Sequence, residues 1–432
     1  MSMVFVVDAK RRPLAPCHPA RARRMLTSGK AAVWRRYPFV IILKRAIPNA
    51  VPTLVRLKID PGSKVTGLAV VNDMTGHVVW AAELTHRGQH IREALLARRA
   101  LRRGRRQRHT RYRPARFANR LRHDGWLPPS LESRLSNVLT WLARLRRYAP
   151  IGAISQELVK FDTQLLEHPE IGGVEYQQGE LAGYEVREYL LEKWGRQCAY
   201  CRKTGVPLQV EHIVPKGRGG SNRVSNLTIA CEPCNTAKGA RTATEFGHPD
   251  VQVQVHRPLK DAAAVNASRW ALFHRLKVTG LSVEVGTGGR TKWNRTRREL
   301  PKAHWIDAAC VGNSTPENVE CAGVAPLLIT AMGRHSRQMC RSNASGFPDK
   351  APKATSVFGG FRTGDIVRAV VPAPSRNAGV YVGRLAIRAT GSCNIKTRTS
   401  TVQGIHVRYC RSLHRGDGYA YQKGETALPL HA

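Results

Sequence analysis

The residues best suited to chemistry lie between Cys198 and Gly239. Two pairs, Cys198-Ala-Tyr-Cys201 and Cys231-Glu-Pro-Cys234, bracket Glu211-His212 and Asn226 and run on into Asn235-Thr-Ala-Lys238-Gly239. Four thiolates at this spacing suit a tetrahedral structural zinc. Between the pairs stand an imidazole able to deprotonate water and oxygen donors for a hard divalent cation, the parts that phosphodiester hydrolysis requires. The pattern Leu208-Gln-Val-Glu-His212-Ile-Val-Pro215 predicts a short strand that delivers His212 to the surface before Pro215 and the glycines of 216–220 break it. The cysteines alone fit a zinc ribbon that only binds nucleic acid equally well. The Glu-His pair and the Asn-x-x-Lys-Gly tail, in register with them, favour the hydrolytic reading.

A second set of candidates is dispersed along the chain. Residues 54–59 alternate apolar and polar and run into Asp60-Pro-Gly-Ser-Lys64, and apolar runs follow at 67–71 and 78–82 with a turn at 73–76. This predicts a three-stranded meander with Asp60 at a strand end, open to a metal. Residues 151–157 predict another strand, ending in Glu157. His304-Trp-Ile-Asp307 places a histidine and an aspartate three apart, on one helical face.

In the chain that must position these groups, 70 Lys and Arg stand against 30 Asp and Glu, a formal charge of +40. Self-repulsion of that size opposes compaction unless a polyanion is the partner, so salt-sensitive nucleic-acid binding is expected. The length of 432 residues with 42% apolar content supports two to four domains with real cores. Of ten cysteines, six (Cys17, Cys310, Cys321, Cys340, Cys393, Cys410) are scattered without a disulfide-like framework, which points to a reducing cytosol. The apolar run 4–7 is too short for a signal peptide and no stretch reaches membrane-spanning length, so a soluble intracellular protein is expected.

Residues 87–122 carry arginine at 87, 92, 98, 99, 102, 103, 105, 106, 108, 111, 113, 116, 120 and 122, with Glu93 as the lone acid. Arg98 with Arg102 and Arg99 with Arg103 are repulsive i,i+4 pairs, so the segment is expected to order only against phosphates, which guanidinium forks bind bidentately.

These motifs carry a resemblance. The cysteine module resembles the zinc-stapled HNH endonucleases, in which a two-stranded ribbon precedes a helix. The match implies His212 as general base, Glu211 and Asn235 as magnesium ligands and Asn226 as the brace of the intervening loop, with Glu211 standing where the family often has Asp. Asp60, Glu157 and Asp307 with His304 resemble the tripartite RuvC site of an RNase H-like fold, whose carboxylates clamp two magnesium ions about 4 Å apart. In that site His304 would position or deprotonate the water. The arginine segment resembles the bridge helix of RNA-guided nucleases, which implies nucleic-acid contacts from Arg98, Arg99, Arg102, Arg103, Arg105, Arg106 and Arg113, joined by Lys238 of the module. Val4–Asp8 with Arg12-Pro-Leu-Ala-Pro16 is similar to a small N-terminal domain named for Pro-Leu-Met-Pro, Ala15 replacing Met. Taken in order over essentially the whole chain, the arrangement resembles the IscB family, transposon-encoded relatives of the single-subunit CRISPR nucleases.

The expected fold class is therefore multidomain α/β. It comprises an N-terminal domain (1–50), RuvC-like segments (51–86, 124–182 and 251–325) interrupted by the bridge helix (87–123) and by a ββα-metal HNH domain with structural zinc (183–250), and a basic β-rich C-terminal domain (326–432). The resemblance implies a magnesium-dependent, RNA-guided DNA endonuclease that cuts the guide-paired strand with HNH and the displaced strand with RuvC. Its partners would be a structured ωRNA-type guide and double-stranded DNA with an adjacent motif, its protein component monomeric, its setting the prokaryotic cytoplasm without any membrane. An unguided HNH homing or restriction nuclease and a catalytically silent RNA-binding regulator of transposition are the competing readings.

Overall fold

The computed structural model describes residues 2–108, 126–158, 187, 190–191, 193–255, 262–333, 343–344, 347–348, 357–388 and 390–426. Arg113, the segment 170–183 expected as a linker, and Cys340 fall outside these. Among the described residues no helix is long and apolar enough to cross a membrane.

The chain opens with β1 (Val4–Val7), β2 (Pro13–Cys17), α1 (Pro19–Thr27), β3 (Ala31–Arg35) and β4 (Val40–Leu43), which form a four-stranded sheet in the order β2-β1-β4-β3. The meander follows as β5 (Val55–Pro61), β6 (Val65–Val71) and β7 (Val78–Thr85), antiparallel at both junctions. Next come α2 (Gly88–Gln107), α3 (Pro129–Arg146) and β8 (Ile151–Glu157), the last parallel to β5. The cysteine module supplies β9 (Leu208–His212), β10 (Leu227–Cys231), α4 (Glu232–Lys238) and α5 (Pro249–Val255). It is followed by α6 (Ala262–Lys277), β11 (Ser282–Gly286), α7 (Gly288–Arg297), α8 (His304–Ala309) and β12 (Leu327–Ala331). Short strands β13 (Val357–Phe358) and β14 (Phe361–Arg362) precede β15 (Ile366–Val371), β16 (Gly379–Ile387), β17 (Ser392–Lys396), β18 (Thr401–His406), β19 (Cys410–His414) and β20 (Tyr419–Lys423).

Seven strands make the central sheet, in the order β11-β8-β5-β6-β7-β12-β20. Alternation along each strand sends side chains to opposite faces, and here both faces are apolar. Leu57, Ile59, Leu68 and Val70 pack with Leu135, Val138, Trp141, Leu142 and Leu145 of α3 and with Leu272 and Leu276 of α6. Ala69, Val71, Val78 and Ala81 pack instead with Trp305, Ile306, Ala308 and Ala309 of α8. The α3 residues recur at three- and four-residue intervals, the period of a single buried helical stripe. Each large side chain so buried contributes about 1.5–3 kcal/mol, so the sheet is a rigid base for whatever stands at its strand ends.

Packing and strand pairing bear on three of the expected segments. The cysteine module is larger than 183–250 at its C-terminal edge, because Val251 and Val255 share its core with Leu190, Leu191 and Trp194. The C-terminal β-rich unit is smaller than 326–432. Its five-stranded antiparallel sheet, β18-β17-β16-β15-β19, has its own core, but β12 and β20 pair with each other inside the central sheet. The arginine segment is helical over Gly88–Gln107. Its first turn leans on α3, where Gly88 allows the approach: a Cβ there would sit 3.0 Å from both Arg134 Nε and Ser130 O. Arg98, Arg99, Arg102, Arg103 and Arg106 are exposed and Arg105 half-buried.

Candidate active sites

In the cysteine module the four sulfur atoms all lie within 4.8 Å of one another, with Cys201 Sγ 3.6 Å from Cys231 Sγ. Sulfurs about 2.3 Å from a tetrahedral zinc are about 3.8 Å apart, so the donor set and its spacing fit a structural metal. A backbone N–H from Lys203, with the neighbouring sulfurs, lowers the Cys201 thiol to about 7, while burial raises Cys231 and Cys234.

The ribbon β9–β10 pairs His212 with Leu227 and Glu211 with Thr228, and α4 follows directly. Alternation turns His212 and Glu211 to opposite faces. His212 is half-buried, with its Nε2 3.0 Å from Asn222 Oδ1. Asn226 closes the loop between them: its Oδ1 accepts from Val214 N at 2.9 Å, and its Nδ2 donates to Val214 O and Ser221 O at 3.0 and 2.9 Å. Asn235 Nδ2 donates to Gln209 Oε1 at 2.8 Å.

Two residues differ from expectation. Glu211, expected to hold magnesium directly or through water, is 6% exposed, and both its oxygens are engaged: Tyr200 Oη donates at 2.6 Å and Lys238 Nζ at 2.5 Å. A magnesium ion bound at Glu211 has to displace the Lys238 ammonium. Lys238, expected to meet nucleic acid, is 1% exposed and also donates to His212 O at 2.9 Å. A buried carboxylate with no metal demands a cation, and the Asn-x-x-Lys spacing supplies one from the same helix.

The dispersed carboxylates gather at one end of the central sheet. Parallel register places Ile59 opposite Gln156, so Asp60 and Glu157 leave adjacent strands at the same level. Asp60 pairs with Gly67, where the N-terminus of α8 crosses so closely that a Cβ would lie 1.9 Å from His304 O. Glycine is required there for the Asp307 helix to reach the strand. His304 is exposed and its N–H donates to Glu83 Oε1 at 3.1 Å.

Electrostatics report the crowding. Burial, then the charges of Glu157 and Asp307, push the Asp60 carboxyl well above its ordinary range, against the pull of Arg269 and Arg196. Burial raises Asp307 as well, opposed by Arg295, Lys302, Arg196 and His304. Protein cations hold the other two: Arg269 Nη2 donates to Glu157 Oε1 at 3.1 Å, and Arg295 Nε lies 2.8 Å from Asp307 Oδ1. Among the described residues only the four cysteines meet the spacing of a single-ion cluster. The three carboxylates feel one another's charge, and two of them are paired with arginines.

Beneath them lies a polar network that the motifs did not reveal. Lys58, fully buried two residues before Asp60, donates to Val311 O at 2.8 Å, Thr315 Oγ1 at 3.0 Å and Ser314 Oγ at 3.4 Å. Burial lowers it to about 8, offset in part by Asp73 and Glu284. Glu284 of β11 accepts from Ser314 N at 2.9 Å and from Ser155 Oγ at 2.6 Å, two residues before Glu157. Every segment that carries a site carboxylate is thus tied to this network. Sequence reasoning also missed Asn222, Arg269 and Arg295. Lys58 stands at a polar position in the alternation of 54–59, where a solvated lysine is expected, and the arginines were hidden in a basic background.

Comparison with known proteins bears on both regions. Residues 4–179 match the family described as RRXRR protein and residues 198–250 the family described as HNH endonuclease. No curated protein matches the sequence. Among solved structures the chain is similar to the Type II-C Cas9 enzyme from Actinomyces naeslundii, at 20% identity over 44% of this chain and 32% of that one, with a TM-score of 0.17. It is similar also to Streptococcus thermophilus Cas9 in complex with the AGAA PAM, at 12% identity over 60% of this chain and 32% of that one, with a TM-score of 0.22. The chain therefore spans under a third of the length of these structures. The chain thus carries an RRXRR segment followed by an HNH endonuclease segment, the latter built around four cysteines that could hold a metal ion.

Proposed function

We propose that the protein is an RNA-guided DNA endonuclease that cuts both strands of a duplex, the cysteine module acting on the guide-paired strand and the carboxylate site on the displaced strand. The observation that carries this reading is the coexistence, in one chain, of two differently built sites for phosphodiester chemistry, with an arginine-bearing helix between the first carboxylate and the second. The order β11-β8-β5-β6-β7, with β6 antiparallel to both its neighbours and β8 and β11 parallel to β5, supports an RNase H-like, RuvC-type domain split by the module.

Asp60, Glu157 and Asp307 are hard oxygen donors that would hold magnesium once Arg269 and Arg295 were displaced from Glu157 and Asp307. Glu211 and Asn235 are the candidate holders in the module. Magnesium bound at such sites supplies charge neutralisation at the scissile phosphate. The residues supply the rest. His304, exposed one turn before Asp307, orients the water at the carboxylate site. In the module, Asn222 presents Oδ1 to His212, so Nε2 carries the hydrogen and Nδ1 is left to take a proton from water. The exposed arginines of α2 offer forks to RNA phosphates, and sequence choice passes to base pairing.

The test is strand-specific cleavage of a labelled duplex by protein purified with its RNA. His212→Ala should leave only the displaced-strand nick and Asp60→Ala only the paired-strand nick. Loss of both cuts in either variant contradicts two independent sites, and cleavage that survives ribonuclease treatment contradicts RNA guidance.

A further inference from the structure

Helix α7 has two faces with different tasks. On the inner face, Thr291 and Asn294 are buried, and Asn294 Nδ2 donates to Cys310 O at 2.8 Å and to Gly312 O at 2.9 Å, closing the C-terminal end of α8. Arg295 reaches Asp307 from the same helix. The outer face carries Arg290, Trp293 and Arg297, spaced three and four apart, and all three are exposed. Trp293 is 48% exposed, with the Arg290 and Arg297 Cζ atoms 4.9 and 5.2 Å from its ring centroid. With Lys292 and Arg295, the helix Gly288–Arg297 holds four cations and no acid.

An indole left in water is explained neither by the fold nor by the chemistry at Asp307. Most tryptophans are drawn inward for their apolar area, as Trp80, Trp141, Trp194 and Trp305 are here. Among the described residues the other exposed one is Trp270, on α6 beside Arg269, the arginine that holds Glu157. Both exposed indoles therefore sit on helices whose arginines touch the site carboxylates. An aromatic face bordered by guanidinium groups is the arrangement that stacks an unpaired base while pairing its flanking phosphates. Duplex DNA, whose bases are already stacked, offers no partner for such a ring.

We propose that Trp293, with Arg290 and Arg297, is a stacking platform for single-stranded DNA that feeds the carboxylate site. This deepens the proposed function and rests on its assignment of the displaced strand to that site. The platform needs no base identity, because every base has a π-face, and it sets the register of the strand through α7, the helix that also holds Asp307.

Two measurements test it. Single-stranded DNA carrying 5-iodouracil, irradiated with the full-length protein and mapped by mass spectrometry, should form its adduct at Trp293. In the guided complex, Trp293→Ala should slow the displaced-strand nick by roughly 5- to 150-fold, the range of losing one stacked base, with the paired-strand nick unchanged and Trp293→Phe recovering most of the rate. The platform is overturned by the absence of an adduct at Trp293, by an adduct formed only with an RNA oligonucleotide, by unchanged displaced-strand nicking, or by equal loss of both nicks. The crosslink requires no guide, so it stands or falls apart from the RNA-guided reading, whose own failure would appear as guide-independent cleavage by the wild type.

Discussion

The cysteine module and the carboxylate site solve the same assembly problem in opposite ways. The module's chemistry spans Cys198–Gly239, one ribbon and one helix, and a metal-binding knot of four sulfurs fixes its geometry. The carboxylate site draws on residues 60, 157 and 307, far apart in sequence, and has no such knot. Lys58 performs the corresponding task there, joining β5 to the turn after α8, while Glu284 joins that turn to β8. A local site can rely on a metal staple because its loops are short and close cheaply. A dispersed site needs a prebuilt sheet. In both regions a protein cation rests on the acids, Lys238 on Glu211 and the pair Arg269 and Arg295 on Glu157 and Asp307.

The largest separation between the two regions should come from stripping the structural metal. Binding of a structural zinc is worth about 10–16 kcal/mol in small cysteine domains, far more than a module of this size stores otherwise. A thiol-reactive chelator, or Cys231→Ser, should abolish the paired-strand nick and open the module to protease, while the displaced-strand nick persists. Zinc content measured alongside activity checks this, and a displaced-strand nick that falls in step with zinc would show that the two regions are a single unit.

Gly67→Ala attacks the other region. The added Cβ would meet His304 O at 1.9 Å, a backbone contact that no rotamer relieves. Misplacement of reacting groups by about 1 Å costs on the order of 100-fold in rate, so the displaced-strand nick should fall by about that factor with the paired-strand nick spared. Equal effects on both would mean that α8 braces the whole molecule rather than its own site.

The contrast also explains what the amino-acid sequence disclosed. Cys198, Cys201, Cys231 and Cys234 are legible because a zinc site needs ligands at narrow intervals on short loops, so spacing is itself the geometry. Pattern alone marked Asp60, Glu157 and Asp307 as acids at the ends of predicted elements, and only the family resemblance grouped them, since nothing local reports that three such ends converge. Arg269 and Arg295 were not legible at all: in a chain with 70 basic residues, one more arginine on a helix carries no signal. The burial of Glu211 and Lys238 was not legible because a motif names residue types but not the face each occupies: strand alternation turns Glu211 inward, and α4 carries Lys238 onto it.

Lys58→Met compares the polar staple with the metal one. The substitution keeps the buried stem and removes the hydrogen bonds to Val311 O and Thr315 Oγ1. Each such bond to a charged group is worth about 1.5–3 kcal/mol, but the apolar layers on both sides of the sheet stay intact. The protein should remain folded, with the displaced-strand nick reduced about 10- to 50-fold and partly restored in Lys58→Arg. Collapse of the fold, as in the cysteine variant, would make the network a condition of folding and remove the distinction.

Asn222→Ala should have the smallest effect and carries the most detail about the module. The Nε2 of His212 has a single partner among the described residues, Asn222 Oδ1 at 3.0 Å, and that contact decides which ring nitrogen is left to accept a proton. Alanine leaves the imidazole in place on β9, since its backbone pairing with Leu227 is untouched, but frees the ring to rotate and to exchange tautomers. The loss is one hydrogen bond of about 1 kcal/mol plus a share of wrongly oriented rings, so the paired-strand rate should drop about 5- to 10-fold. Because Asn222 orients the ring rather than binding the strand, the change should appear in kcat with KM unaltered, and the displaced-strand nick should not move. A change in KM instead would place Asn222 on the DNA, and the proton would then leave by the other nitrogen.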